Sequence, residues 1–231
     1  MTSSWTELYR LHFQKQFQKP FDIQIYHSSE ILNQKSKPAW GWLGSWFSAP
    51  EKSTSPDGAS LKLATHDLAL AGFRVYASMG LADRLVQNGE EDFGEVILFA
   101  DVPDKEVPQL FVHALFFILH NDIPLGSRFA IGGIYDLMPE FAARYRKSAL
   151  YFTRAAAEGH SKKQVVSGEE VDFQETINKI RNGDEFGWVY QAYFISPEED
   201  EFLEEFGVDA FEKIFQEEGG DRLGLRRQSC V

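Results

Sequence analysis

The chain has 231 residues, of which 43% are hydrophobic, 25% charged and 14% aromatic, with 20 Phe. That is an ordinary globular balance with enough apolar material for a sizeable core, so global disorder is excluded. A net charge of −12 repels phosphate backbones and argues against a nucleic-acid partner, while it suits a basic protein.

Cys230, the second residue from the end, is the one cysteine. Neither an internal disulfide nor a Cys-based metal cluster can form, which fits a reducing compartment. The opening residues lack a basic region followed by an apolar run, so no signal peptide is expected. The most apolar stretch, Leu110 to Leu119, is about half the roughly 20 residues that a spanning helix needs. The expectation is a cytoplasmic chain without a membrane segment.

In chain order, Ser4 to Phe17 has helical spacing, with Ser4 as cap and Glu7 completing a capping box. Pro20 stops it, and Phe21 to His27 alternates as a strand. Trp40, Trp42, Trp46 and Phe47 cluster among Gly and Pro, and residues 48–60 form a linker rich in Ser, Pro and Gly. Residues 1–60 therefore read as an N-terminal subregion, 61–221 as the main domain and 222–231 as a tail. Phe73, Val75 and Ala77 alternate in a strand ending at Met79, and Glu95 to Asp101 is another. The polar stretch between them, with Gly89 as its turn, predicts a hairpin. Pro108 to His120 reads as a helix buried on most sides. Arg128 to Ile134 and Ser148 to Ala156 are further strands, and Phe186 to Ile195 is the strongest. Ser196-Pro197-Glu198-Glu199 then opens a capped helix that ends at Gly207. Asp209 starts a second helix with Phe211, Ile214 and Phe215 as its apolar stripe. This order, without regular βαβ repeats, predicts an α+β fold with a mixed, largely antiparallel sheet and flanking helices.

The block FGWVYQAYFISPEEDEFLEEFGVDAFEKIFQE resembles the end of suppressor-of-fused-like domains. These close with a hydrophobic strand, a Pro followed by acids, an apolar–charged helix, a Gly and a final short helix. Upstream, VYASMGLADRL is similar to the family's strand with a Ser/Met/Gly signature, EVILFADVP to the next strand, and PLGSRFAIGG to the Gly-containing stretch after the central helix. The resemblance covers residues 61–218. It implies a non-enzymatic binding module: animal members clamp a peptide of a transcription factor, and many bacterial members resemble immunity proteins that neutralise a toxin.

Signatures of catalysis are missing: there is no P-loop, dinucleotide fingerprint, HExxH or nucleophile elbow, and no cofactor is implied. His113 and His120 share nearly one helix face, with Asp122 close by, but lack a third His or a Cys at ligand spacing, so no metal is expected. Cys230 has no base fixed beside it. A free C-terminus is either captured by its carboxylate or disordered, and disorder is the usual state of chain ends.

Two features stand out. Between Pro197 and Asp221 lie eleven acids and one base, Lys213, which concentrates 10 of the 12 net negative charges in one segment. Glu201, Glu204 and Glu205 are the candidate contacts of a docking surface for a basic protein or peptide. The Trp40, Trp42 and Trp46 cluster is either a second contact surface or a lid over the core. The function expected is sequestration or neutralisation of a partner protein, as by an immunity protein. The alternative is a hydrolase built on a carboxylate and a His.

Overall fold

The strand signals converge on one open sheet. The structure is a computed structural model that describes residues 4–17, 19–29, 60–68, 72–89, 92–155, 164–166, 169–171, 179–182, 185–217 and 223–231. Among these the strands are β1 (Asp22–His27), β2 (Ser60–Leu68), β3 (Phe73–Met79), β4 (Gly94–Ala100), β5 (Phe129–Ile131), β6 (Ala149–Arg154), β7 (Gln164–Val166), β8 (Glu169–Val171), β9 (Lys179–Asn182) and β10 (Glu185–Ile195). Eight form one sheet in the order β1-β2-β3-β4-β10-β6-β5, and β9 pairs with the first half of β10 on the margin that β6 uses further along. β7 and β8 pair only with each other. Every pairing is antiparallel except β4 with β10.

The helices are α1 (Trp5–Phe17), α2 (Leu81–Gln87), α3 (Glu106–His120), α4 (Ile134–Leu137), α5 (Pro139–Tyr145), α6 (Pro197–Phe206) and α7 (Val208–Glu217). They flank the sheet, so the α+β class read from the sequence is the one observed. In α3, Val107, Leu110, Phe111, Val112, Ala114, Leu115, Phe116 and Ile118 are all buried, as an all-round apolar pattern requires. α1 buries Trp5, Tyr9 and Phe13, and its Tyr9 hydroxyl donates to the Trp188 carbonyl of β10 at 2.7 Å. Gly187 makes room for this docking, because a Cβ there would collide with the Tyr9 hydroxyl and crowd the Trp5 and Phe93 rings.

Two local readings are corrected. β3 and β4 do pair, but their connection holds α2 rather than a plain turn. The reason lies in its cap. α2 begins at Gly80, which has no capping side chain, so the sequence carries no local start signal. The cap comes from β4 instead. Glu95 accepts the amides of Gly80 at 2.7 Å and of Leu81 and Ala82 at 3.2 Å, and the Ser78 hydroxyl at 2.5 Å. The Ser78 oxygen in turn accepts the Val96 amide at 2.8 Å. The second correction is at Arg128 to Ile134, where the strand stops at Ile131 and Ile134 opens α4 after Gly133 turns the chain at a φ of 87°.

Glu95 is completely buried. Burial pushes its carboxyl up to about 7, against the opposing pull of Ser78 and the three amides. A folded pKa above the unfolded value of 4.5 means that the folded state holds the proton more tightly in that window. This contribution is fully present below about 4.5 and is lost as pH rises through about 7. Denaturant unfolding from pH 4.5 to 8 should therefore show wild type losing stability relative to Glu95→Gln, on the order of 3 kcal/mol at about 1.4 kcal/mol per pKa unit. Parallel pH profiles in the two proteins would contradict the assignment.

Candidate functional site

The acidic segment is built from β10 outward. Ser196 leaves the strand in extended backbone and caps α6. Its hydroxyl accepts the Glu199 amide at 3.2 Å, and the Glu199 carboxylate accepts the Ser196 amide at 2.8 Å, so the capping box read from the sequence is complete. Pro197 sits at the first helical position and Gly207 closes the helix at a φ of 82°.

Glu199 is buried and does more than cap. Arg227 grips it with both terminal nitrogens, at 2.5 and 2.7 Å, and also donates to the Phe194 carbonyl. Burial pushes the Glu199 carboxyl up, but the Arg227 guanidinium, the Ser196 amide and the Cys230 thiol outweigh it and hold the group below its ordinary value. Residues 223–231 are thereby seated on the domain rather than left as a free end. Leu225 is buried and its amide donates to Asp101, Lys147 donates to the Arg227 carbonyl, and Cys230 donates its amide to Glu199. Lys147 is itself buried, and desolvation lowers its ammonium to about 8. The sequence signal that was overlooked is the Arg226-Arg227 pair beside so acidic a segment.

Eight of the acids fall into two populations. One is engaged by partners within the domain, with Glu199 buried, Asp200 and Glu212 partly covered, and Glu198 and Asp209 at the surface. Glu198 pairs with Arg146 at 2.6 Å, and Asp200 accepts the Ser148 hydroxyl at 3.1 Å. Asp209 and Glu212 share Arg128 at 3.0 Å, and Glu212 also accepts from Tyr151 and Thr153. Arg128 and Arg146 both hold a φ of 52°, a left-handed conformation that side chains other than Gly rarely adopt, and both clamp these helices.

The other population faces water. Glu201, Glu204 and Glu205 are exposed on α6, and none has a cation beside it among the described residues. Desolvation and then the neighbouring Glu201 raise the Glu204 pKa, which marks mutual repulsion. Phe206, on the Phe202 side of the same helix, is 55% exposed, with its ring 4.5 Å from that of the half-buried Phe202. α6 therefore presents an anionic ridge on one face and, on another face, an exposed aromatic ring. Its apolar side rests on a separate small core, in which Phe211 and Phe215 of α7 pack on Tyr151, Tyr193 and Ile195.

Trp40, Trp42 and Trp46 lie outside the described residues. His113 bonds through Nδ1 to the Gln109 carbonyl of its own helix, and Asp122 accepts from Asn88. Among the described residues no three His, Cys, Asp or Glu side chains converge as a metal site, and no helix is long and apolar enough to cross a membrane.

Carboxylates lifted toward neutrality are the usual sign of acid–base chemistry. Among the described residues burial raises Glu204, takes Asp200 to about 6 and takes Glu95 to about 7. Both oxygens of Glu95 are saturated by four donors inside the core, so no substrate reaches them. The Cys230 thiol is pushed up to about 12 by burial and by Glu199, the reverse of an activated nucleophile.

No family model matches the chain, and no curated protein matches it in sequence. Solved structures do match in fold. A crystal structure described as a SUFU (suppressor of fused protein) homolog from Neisseria gonorrhoeae FA 1090 superposes with a TM-score of 0.57 at 14% identity, over 98% of this chain and 97% of that one. A chain of a structure described as the Sufu–Fu complex superposes with a TM-score of 0.56 at 11% identity, over 100% of this chain and 93% of that one. The chain has the suppressor-of-fused-like fold.

The capping geometry is directly testable. Ser196→Ala should cost about 1 kcal/mol in denaturant unfolding. Phe211→Ala, which empties a fully buried site, should cost roughly 3–5 kcal/mol, and Phe202→Ala, at a half-buried site, clearly less. Equal costs for the two Phe variants would mean that α6 and α7 are docked differently.

Proposed function

We propose that this chain is a non-enzymatic protein-binding module that sequesters or neutralises a basic partner protein in the cytoplasm. The observation that carries this reading is α6, which exposes Glu201, Glu204 and Glu205 on one face, with no cation beside them among the described residues, and Phe206 on another. A folded protein has no use for that arrangement by itself, since unpaired like charges repel and an exposed Phe gains nothing from burial. A partner presenting Lys or Arg and an apolar pocket relieves both. Exposed aromatic side chains near charged ones are common components of protein-binding surfaces.

The fold supports a protein partner, because one structural neighbour is recorded as the Sufu–Fu complex. The family resemblance at residues 61–218 points to a toxin as the partner class and to an immunity role. Trp40, Trp42 and Trp46 are proposed as a second, aromatic contact. The hydrolase alternative gains no support, because the one carboxylate raised to about 7 is sealed in the core.

The test uses the protein that co-purifies from the native cell. Association should slow as salt rises, because the ridge charges are solvent-exposed and screened. Reversing Glu201, Glu204 and Glu205 together to Lys should slow association about tenfold or more at low salt while leaving the unfolding transition in place. An unchanged association rate in a folded triple variant overturns the assignment of the ridge.

A further inference from the structure

Away from α6, at the opposite margin of the sheet, β1 is an open edge. The far margin is blunted in the usual way, since β5 has only three residues. β1 has six, DIQIYH, with no Lys, Arg or Pro among them. Its inner edge pairs with β2 throughout, from Asp22 opposite Thr65 to His27 opposite Ser60. Its outer edge has no partner strand among the described residues.

The side chains of this edge are also uncovered. Ile23 lies opposite Ala64 and Ile25 opposite Lys62, on the sheet face that α1 covers further in. α1 reaches only as far as β2, where the Phe17 ring meets His66 at 5.7 Å. One strand further out, Ile23 is 48% and Ile25 56% exposed. Phe21, at the entry to the strand, is 57% exposed, with Arg74 over its ring at 5.0 Å.

We propose that β1 is a homodimerisation edge, where two copies pair antiparallel across a twofold axis to form one continuous sheet. In a register centred on Gln24, Ile23 of one copy faces Ile25 of the other, Gln24 faces Gln24, and Asp22 faces Tyr26. The strand is self-complementary in this register, because apolar residues meet apolar residues and no like charges are opposed.

Charge distribution favours a second copy despite the net −12. Of that charge, 10 units lie between Pro197 and Asp221. α6 and α7 pack on β5, β6 and β10 at the other side of the sheet. From β1 to β6 is five strand steps, about 24 Å at roughly 4.8 Å per step. That is about three Debye lengths at physiological salt, so the acids barely reach the edge. The single acid of β1 is Asp22. A dimer through β1 also leaves both α6 ridges open, so this inference stands independently of the proposed function.

Sedimentation velocity on the full chain, over two decades of concentration at physiological ionic strength, should show a monomer–dimer equilibrium. Ile23→Lys and Ile25→Lys, both at exposed positions, should each weaken self-association about tenfold or more with unchanged circular dichroism. Val86→Lys, at an exposed apolar site on α2, should leave it unchanged. Hydrogen exchange at β1 amides should slow as the dimer fills. A monomer at every concentration overturns the proposal, as does a dimer indifferent to both β1 variants. Concentration-independent protection of β1 in a monomer also overturns it, and assigns the edge to residues 30–59 of the same chain. Loss of the dimer in the Glu201, Glu204 and Glu205 to Lys variant would move the interface to α6.

Discussion

Much of the architecture hangs on one buried carboxylate. Glu95 has no cationic partner among the described residues, yet it holds the start of α2 by three backbone amides and β3 by the Ser78 hydroxyl. The helix it positions then repeats the device. Asp83, in the first turn of α2, accepts the amides of Trp5 and Thr6 at 2.9 and 3.1 Å and the Thr6 hydroxyl, so it caps α1. α1 in turn reaches β10 through Tyr9 and the Trp188 carbonyl. Trp188 lies opposite Gly94, the residue before Glu95, and its amide donates to the Phe93 carbonyl. The relay runs from β4 through α2 and α1 to β10 and closes on the parallel β4–β10 pair. A parallel pair cannot be joined by a tight turn, so its register must come from such tertiary contacts. Desolvation works against the charged form of Glu95, and four convergent donors with the helix dipole offset it only in part.

A second anchor fixes the far end of β10. The Glu199–Arg227 pair is buried, and such pairs are poor net stabilisers but severe to break, because the surviving charge is stranded. Its significance lies in geometry. Glu199 belongs to the cap of α6, and Arg227 belongs to the last residues of the chain, so seating the C-terminus and orienting α6 are one event. The exposed carboxylates of α6 take their direction from this buried one.

What could be read from the sequence was local. Period-two alternation marked β1 and β3, aromatic and β-branched richness marked β10, and the Ser196–Glu199 box marked α6, because those signals lie within one short stretch of chain. α2 escaped because its cap lies on a strand 14 residues from its first residue, and Gly80 offers no side chain to betray it. The seated C-terminus escaped because its anchor pairs residues 28 apart. Arithmetic on the acidic segment showed the asymmetry but not its division, since the cations that neutralise its engaged acids, Arg128, Arg146 and Arg227, all lie outside it. The Trp cluster falls outside the described residues and adds nothing to this comparison.

The division of the acids narrows what the surface can do. Had all eleven faced water, the segment would present a broad anionic field, attractive to any cation and selective for none. With Glu199, Asp200 and Glu212 held within the domain and Glu198 and Asp209 paired with arginines at the surface, the charge of α6 that has no cation beside it among the described residues contracts to Glu201, Glu204 and Glu205 on one face of a ten-residue helix. These pairs also hold that helix still, and a rigid ridge loses less entropy on docking than a mobile one. On the proposed reading, long-range charge sets how fast a basic partner would arrive, while the three carboxylates and Phe206 on the neighbouring face set which partner would stay.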